Sequence, residues 1–231
     1  MIEFDSAAVV VPDSAGDGDR VILSPTSLTL TEHHIAVIGA NGSGKSTLAR
    51  LINGLVTATS GTVRVDGLDV RRDATAVRRR VGFCFTDPSA QLVMPTCVED
   101  VELSLRRTHR SGSARRARAL EILEEFGLAA HAHDSVHSLS GGQKQMLALA
   151  GVLAVGPSVV VADEPTTLLD LANTRRVSDR LLGLPQQLVL VTHDLDLAAR
   201  CDRALVVDRA AVVFDGPAAE AVAHYRDAVT A

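Results

Sequence analysis

A loop of nine residues, Gly39–Thr47, constrains most strongly what this chain can fold into. It reads Gly-Ala-Asn-Gly-Ser-Gly-Lys-Ser-Thr and fits the phosphate-binding loop pattern of Gly, four free positions and Gly-Lys-Ser. The apolar run His34–Ile38 before it predicts a strand, and Leu48–Leu55 after it predicts a helix. Glycines let backbone N–H groups converge on a phosphate, and the helix N-terminus adds a positive field. We therefore expect the loop to bind a nucleoside triphosphate.

Two side chains of the loop have specific expected roles. Lys45 would reach the β- and γ-phosphates, and Ser46 would offer its hydroxyl to Mg²⁺. The predicted nucleotide-binding residues of the loop are Gly39, Ala40, Asn41, Gly42, Ser43, Gly44, Lys45, Ser46 and Thr47.

Composition narrows the class of protein. The net charge of −5 argues against nucleic acid as the main partner, so the local arginine clusters are interpreted as solvated surface. Three scattered cysteines without a CxxC motif are typical of a reduced cytosolic protein. The acidic start Met1–Asp5 predicts no secretion leader, and the longest apolar run, Met146–Val155, is too short for a membrane span.

Strand and helix patterns alternate along most of the chain, which predicts an α/β fold with a largely parallel sheet. A mostly helical stretch at about 87–139 interrupts this alternation, so we expect a single domain over 1–231 with a helical insertion. Within it, Ala117, Leu120 and Leu123 are spaced three apart and predict one face of a helix. The predicted strands are 2–11, 21–23, 28–30, 61–67, 80–85, 159–162, 188–192, 204–207 and 212–214. The predicted helices are 98–107, 113–126, 140–155, 171–182, 195–200 and 217–225, and 12–20 is expected to be an exposed turn.

In the run Val159–Glu164, four apolar residues are followed by two acids, as expected for a buried strand that ends at a charged site. Asp163 is placed to hold Mg²⁺, directly or through water. Glu164, the next residue, is the natural base to polarise an attacking water. Two solvated acids at a strand end are the alternative, and the phosphate-binding loop upstream favours the functional interpretation.

The run Leu139–Gln145 begins another predicted helix. Ser140 with Gln143 three residues later is a capping box, which by itself explains those two residues. A cap does not require Gly141 and Gly142, however. Two glycines there would bare the backbone N–H groups of a helix N-terminus, which makes a second anion site.

These motifs together resemble the ATP-binding-cassette (ABC) ATPases. The phosphate-binding loop, the Leu139–Gln145 signature, Asp163-Glu164, Leu169-Asp170 and His193 occur in that family's order and cover essentially the whole chain. The resemblance implies a phosphate-binding-loop core with a mostly parallel sheet, an antiparallel β subdomain at the N-terminus and an inserted helical subdomain. It also implies ATP and Mg²⁺ as cofactors.

In that family two cassettes pack head to tail around two ATP molecules, and the resemblance implies the same here. The residues that would contact the nucleotide held by the partner are Ser140, Gly141, Gly142 and Gln143. Asp170 would lie at the dimer seam. His193, after a predicted strand, would contact the γ-phosphate and position the catalytic Glu164, although a single histidine at a strand end is more often structural.

The stretch Val81–Thr96, with its Asp-Pro-x-x-Gln segment, resembles the ATPases of energy-coupling-factor (ECF) transporters, and most of all those of biotin uptake. The implied partners are a second ATPase subunit, an integral membrane coupling subunit and a substrate-binding membrane subunit, at the cytoplasmic face of the membrane. Residues 92–95 would line the groove for the membrane partner, or would simply cover the core of the insertion. Alternative functions are another vitamin, cobalt or nickel uptake, or a soluble ABC ATPase acting on DNA or ribosomes.

Two positions depart from the family pattern. Thr86 stands where relatives have a glutamine that reaches Mg²⁺ and the attacking water; its shorter side chain would need a bridging water, and we expect slower or differently coupled hydrolysis. The end of the first strand, Val9–Pro12, lacks the aromatic residue that stacks on adenine, so we expect modest affinity and an apolar contact from Val11. His131, His133 and His137 have ligand-like spacing, but an exposed linker is the preferred interpretation.

Overall fold

The computed structural model describes residues 1–12 and 18–230, so part of the expected turn at 12–20 lies outside it. The strands are β1 (Ile2–Pro12), β2 (Asp19–Leu30), β3 (His34–Ile38), β4 (Ser60–Val65), β5 (Leu68–Asp69), β6 (Val81–Cys84), β7 (Val159–Asp163), β8 (Gln187–Val191), β9 (Arg203–Asp208) and β10 (Ala211–Pro217). The helices are α1 (Lys45–Ile52), α2 (Ala74–Arg80), α3 (Cys97–Leu105), α4 (Gly112–Glu125), α5 (Gly141–Leu153), α6 (Leu171–Leu182), α7 (Leu195–Ala198) and α8 (Ala218–Thr230).

The central sheet has six strands in the order β10-β9-β3-β8-β7-β6. All neighbours pair in parallel except β10, which runs antiparallel to β9 at the edge. This confirms the predicted largely parallel sheet. The carboxyl ends of β3, β6, β7 and β8 therefore meet at one edge, where ligands of such sheets bind.

A second sheet, β2-β1-β4-β5, is antiparallel throughout. It confirms the antiparallel subdomain that the family resemblance implies. The two short strands predicted at 21–23 and 28–30 are one continuous strand, β2. Register shifts opposite β1 let this strand bend without interrupting its pairing.

Both faces of the central sheet are covered, which explains why its strands are apolar without alternation. In β3, Ile35 and Val37 pack into one buried cluster with Leu48 of α1. Ala36 and Ile38, on the opposite face, pack into a second cluster with Leu147 of α5. The period of two along a strand divides one apolar run between two cores.

The chain between β6 and β7 is mainly helical and contains α3, α4 and α5, with short 3₁₀ turns at Pro88–Ala90, Ala129–His131 and Val136–Ser138. The predicted face of α4 is correct at Leu123 and wrong at Ala117 and Leu120, which are exposed. Leu123 is buried together with Ala119 and Ile122, followed by Phe126 just beyond the helix. A strict spacing of three drifts around a helix of 3.6 residues per turn, whereas positions i, i+3, i+4 and i+7 stay on one face.

Helix ends differ from the predictions in several places. Helix α1 begins inside the phosphate-binding loop, at Lys45, and α2 was not predicted. Helix α7 ends earlier than expected, and α8 continues to Thr230. Within residues 1–12 and 18–230, no helix combines the length and the apolar content that a membrane crossing requires.

Candidate nucleotide site

A cavity of about 670 Å³ opens at the carboxyl edge of the central sheet. It brings together the loop after β3, the ends of β7 and β8, and one residue after β6. Its lining residues are Arg20, Ile22, Gly39, Ala40, Asn41, Gly42, Gly44, Lys45, Ser46, Thr47, Thr86, Glu164, Thr167, His193 and Tyr225. Eight of the nine predicted loop residues line it, and the ninth, Ser43, is buried beneath the loop.

The phosphate-binding loop is held by its own lysine. Lys45 Nζ donates to the carbonyl oxygens of Gly39 and Ala40, at 2.8 Å each. Burial lowers the pKa of Lys45, and the negative charges of Glu164 and Asp163 partly offset that effect. Gly44 has φ of 112°, and a side chain there would meet the Ile22 carbonyl oxygen at 2.8 Å, so only glycine fits this turn.

Asp163 and Ser46 meet as the predicted pair of Mg²⁺ ligands. Ser46 Oγ lies 2.8 Å from Asp163 Oδ1, and Arg50 Nη2 lies 3.1 Å from Asp163 Oδ2. A hydroxyl and a carboxylate are the hard oxygen donors that Mg²⁺ prefers, so this pair fits the ion. The hydroxyl of Thr86 donates to the backbone oxygen of Asp163 at 2.7 Å, which places it beside this pair.

Two side chains hold the carboxylate of Glu164. Its Oε2 lies 2.6 Å from His193 Nδ1 and accepts from the Thr167 hydroxyl at 2.8 Å. Its φ of 54° lies in the left-handed region, which is uncommon for a residue with a side chain and is often retained at functional sites. Glu164 is positioned in the cavity by three segments: the end of β7, the turn to Thr167 and the end of β8.

The signature residues are not part of this cavity. Ser140, Gly141, Gly142 and Gln143 are absent from its lining and form the N-terminus of α5 instead. The predicted capping box is confirmed: Gln143 N donates to Ser140 Oγ at 3.3 Å, and Ser140 N donates to Gln143 Oε1 at 2.8 Å. Gly142 also has a packing reason to be glycine, since a side chain there would collide with the Asn173 amide.

Asp170, predicted at a dimer seam, is the N-cap of α6. It accepts from the backbone N–H of Asn173 at 2.8 Å and from its side-chain amide at 2.9 Å. These bonds lower the pKa of the Asp170 carboxyl. They also hold Asn173 against Gly142, so the cap of α6 and the start of α5 are in contact.

Arg20, Ile22, Thr167 and Tyr225 line the cavity but were not predicted from the sequence. Thr167 could have been found, because it follows Glu164 by one turn. The other three come from β2 and α8, distant in sequence. Val11, the expected apolar contact for the base, is absent from the lining, and Ile22 supplies an apolar side chain there instead.

The interpretation of the three histidines as exposed linker residues fits His133 and His137, whereas His131 is only partly exposed and makes two hydrogen bonds. His131 Nδ1 lies 2.7 Å from Asp134 Oδ2, and His131 Nε2 lies 2.9 Å from the Gln143 side-chain amide. His133 faces Arg116 instead, at 3.3 Å. Sequence spacing alone did not reveal that His131 touches the signature helix.

Comparisons with known proteins agree with this geometry. Residues 23–167 match the family described as ABC transporter. The biotin transport ATP-binding protein BioM of Rhizobium etli is 43% identical over 98% of this chain and 98% of its own. The methionine import ATP-binding protein MetN of Caulobacter vibrioides is 40% identical over 97% of this chain and 69% of its own.

Two solved structures have the same fold. The ATP-binding cassette MJ0796, in a dimeric post-hydrolysis state bound to ADP and Pi, has a TM-score of 0.84 and 30% identity, covering 94% of this chain and 99% of that one. CbiO1 from Clostridium perfringens, part of the ABC transporter complex CbiONQ, has a TM-score of 0.83 and 26% identity, covering 99% and 93%. With its phosphate-binding loop, its acidic strand end and these relatives, the chain belongs to the ABC transporter family as an ATP-binding, ATP-hydrolysing subunit.

Proposed function

We propose that this chain is the ATPase subunit of an ECF-type transporter and powers the uptake of biotin. Two copies close on two MgATP and act on an integral membrane coupling subunit, which works with a substrate-binding membrane subunit. The chain then sits at the cytoplasmic face of the membrane as a peripheral subunit. Residues 1–231 act as one cassette, with the helical insertion at about 87–139 as the part that meets the membrane partner.

The position of the signature residues carries the proposal of a dimer. The N-terminus of α5 presents two glycines and the Ser140 hydroxyl, yet these residues stand outside the cavity that the phosphate-binding loop forms in the same chain. A second copy supplies the missing contact if each signature closes on the nucleotide of the other. The dimeric state of MJ0796 with ADP and Pi supports this arrangement.

Nucleotide binding uses the loop and the acidic strand end together. The backbone N–H groups of the loop and the Lys45 ammonium bind the phosphates, after Lys45 exchanges its carbonyl contacts for phosphate oxygens. Ser46 and Asp163 would hold Mg²⁺, with the Thr86 hydroxyl beside them. When bound, the ion neutralises phosphate charge that the protein would otherwise leave exposed.

In hydrolysis, the two oxygens of the Glu164 carboxylate have different roles. Oε2 is occupied by Thr167 and His193, whereas Oε1 makes no hydrogen bond with residues 1–12 and 18–230. Oε1 is then free to accept a proton from water as the water oxygen bonds to the γ-phosphorus and the bond to the β-phosphate oxygen breaks. His193 fixes the direction of the carboxylate, and its ring contacts the γ-phosphate.

The docking of the membrane partner is assigned to a groove of about 240 Å³ between β6, α3 and α5. Residues 92–95 were expected either to line this groove or to cover the core of the insertion, and two of them differ in this respect. Leu92 packs against the core, whereas Val93 is 67% exposed and lines the groove. Asp100, buried beside it, accepts from the backbone N–H groups of Val93 and Met94 at 2.9 and 3.0 Å and so fixes this segment.

The proposed cargo rests on the relatives alone, because the cassette does not contact it. BioM supports biotin. MetN is of similar identity, and CbiO1 belongs to another transporter complex, so a second vitamin, methionine or a metal ion such as cobalt or nickel is the competing candidate.

Affinity purification of the tagged chain from membranes of its own cells, followed by mass spectrometry, tests the proposed function. Recovery with a biotin-binding membrane subunit supports the proposal. Recovery with a membrane subunit that binds another substrate would contradict biotin as the cargo and keep the transport role. Recovery with ribosomes or DNA contradicts the transport role.

Substitution in the groove tests the docking surface. Val93→Glu should abolish recovery of the membrane partners and leave the ATPase rate of the isolated chain unchanged. Val213→Glu, on a valine of the edge strand β10 that is 50% exposed, is the control and should leave recovery intact. Equal recovery with both variants would place the membrane partner elsewhere.

A further inference from the structure

A short chain of hydrogen bonds connects the loop before the signature to the signature itself. Asp134 Oδ2 lies 2.7 Å from His131 Nδ1, and His131 Nε2 lies 2.9 Å from Gln143 Nε2. Gln143 Oε1 in turn accepts from the backbone N–H of Ser140 at 2.8 Å. Four residues are thus joined by three bonds that end at Ser140, within the signature.

The direction of each bond follows from the last one. A backbone N–H can only donate, so the Gln143 oxygen must face Ser140 and its NH₂ group must face His131. His131 Nε2 must then accept, which places the ring proton on Nδ1. Nδ1–H is the donor that the Asp134 carboxylate requires. Only this tautomer of His131 satisfies both of its partners.

The Asp134 end of this series of hydrogen bonds is tied to the helical insertion. The carbonyl of Asp134 accepts from Cys97 N at 3.3 Å, at the start of α3. Val136 N donates to the Pro95 carbonyl at 3.1 Å, and Val98 N donates to the Ala132 carbonyl at 2.9 Å. The loop that carries His131 is therefore hydrogen-bonded to residues 95–98, which lie between the groove residue Val93 and the first turn of α3. These bonds fix the position of the loop relative to α3.

We infer that His131 is a positioning residue for the signature, which orients Gln143 and through it the Ser140 N–H at the N-terminus of α5. An unrestrained Gln143 amide can rotate and release Ser140 N, whereas the bond to His131 holds it in the capping geometry. His131 touches neither the phosphate-binding loop nor the cavity, so it acts only on the face that meets a second copy. This inference rests on the proposed function, because the signature has a role in hydrolysis only across a dimer.

The first measurement tests the hydrogen bonds without any nucleotide. Nitrogen-15 NMR of the histidine rings should show the Nδ1–H tautomer for His131. Hydrogen exchange at the Ser140 amide should be about five-fold faster in His131→Ala, the change expected when one hydrogen bond is lost. An Nε2–H tautomer, or unchanged exchange at Ser140, would overturn the inference whatever the protein hydrolyses.

The second measurement tests the consequence for turnover. His131→Ala should lower the ATPase rate at saturating MgATP about five-fold. The affinity of the isolated chain for a fluorescent ATP analogue should not change. His131→Gln keeps an acceptor in reach of Gln143 and should recover most of the rate. His133→Ala, two residues away and turned toward Arg116, is the matched control and should behave as the wild type.

The two measurements separate the inference from the proposed function. A faster Ser140 exchange with an unchanged ATPase rate would contradict the role of His131 in turnover. Wild-type chain that hydrolyses ATP strictly as a monomer would contradict the proposed dimer while leaving the hydrogen-bond chain intact. Equal losses of rate in His131→Ala and His133→Ala, with equal falls in melting temperature, would reduce His131 to an ordinary stabilising residue.

Discussion

Glu164 is the proposed base for hydrolysis, and its geometry explains how one carboxylate oxygen can be held while the other stays available. The turn after β7 forces a left-handed backbone at Glu164, and Thr167 and His193 share its Oε2. The strain is offset by two bonds to a charged acceptor, which are stronger than bonds between neutral groups.

Replacement of this acid should stop hydrolysis without preventing binding. We expect Glu164→Gln to lower the ATPase rate at least about 100-fold, since general-base catalysis contributes that much or more. ATP affinity should be retained, because the phosphate-binding loop is intact. Phosphate release and equilibrium nucleotide binding measure the two effects, and a variant that keeps most of its rate would show that another group activates the water.

Thr167 offers a matched pair of substitutions at the same scale. Thr167→Val keeps the shape but removes the donor to Glu164, and we expect about a five-fold lower rate with ATP affinity unchanged. Thr167→Ser keeps the hydroxyl and should be close to the wild type. Equal rates for the two variants would mean that His193 alone is sufficient to orient the carboxylate.

At the scale of elements, one arginine joins the edge of the central sheet to the antiparallel sheet. Arg203 at the start of β9 binds Asp215 of β10 with two bonds of 2.6 Å, and its Nη1 reaches Glu32 at 3.0 and 3.1 Å and the Thr29 carbonyl at 2.9 Å. The side chain is only 18% exposed. One guanidinium therefore joins the end of β2 to β9 and to the edge strand β10.

Removal of this guanidinium should destabilise the fold measurably. We expect Arg203→Met to lower the free energy of unfolding by about 2 kcal/mol, because several bonds to charged groups are lost together. Arg200→Met removes an exposed pair with Asp179 and is the control, with an expected loss of about 0.5 kcal/mol or less. Urea denaturation at neutral pH measures the free energy of unfolding of both variants. Equal losses would contradict the stabilising role of the Arg203 guanidinium.

The same network predicts a dependence on pH. Burial by itself would raise the pKa of Glu32, but backbone N–H groups and Arg203 lower it below its ordinary value of 4.5. A carboxyl with a lowered folded pKa stabilises the fold above its unfolded pKa and loses that contribution as the pH falls through the folded value. The difference between wild type and Arg203→Met should therefore shrink below about pH 4.5, which denaturation across that range would measure.

At the scale of the molecule, the central sheet separates two cores, and all three cysteines are buried in the core that contains α5. Burial raises the pKa of the Cys84 and Cys201 thiols to about 12, and it raises the pKa of Cys97 as well. Since the thiolate is the reactive form, these thiols should be inert at neutral pH in the folded chain.

Thiol labelling then becomes a measure of global opening. At pH 8 we expect slow reaction of all three thiols in the folded chain and rapid reaction in guanidinium chloride, because unfolding exposes them. Mass spectrometry after timed labelling follows each site. Fast labelling of Cys84 in the folded chain would show that β6 opens locally and that the core around it is not continuous.

The extent of prediction differs between the fold and the site. The α/β class, the parallel sheet, the antiparallel N-terminal sheet and the capping box at Ser140 are confirmed, and so are ATP hydrolysis and the cofactors. The individual site residues and the boundaries of the insertion stay predictions. The predicted face of α4 is correct only at Leu123, and the contacts of His131 were not predicted, because both depend on what packs against them.

The sequence by itself determined the features that depend on neighbouring residues: the loop Gly39–Thr47, the two acids at the end of β7 and the cap of α5. Steric freedom of glycine, strand length and capping geometry act within a few residues, so spacing along the chain is enough. Only the tertiary structure decided that Arg20, Ile22 and Tyr225 join the nucleotide cavity and that His131 reaches Gln143. Those contacts form when β2, α8 and the loop before α5 pack around the sheet, and no local pattern encodes which distant segments will meet.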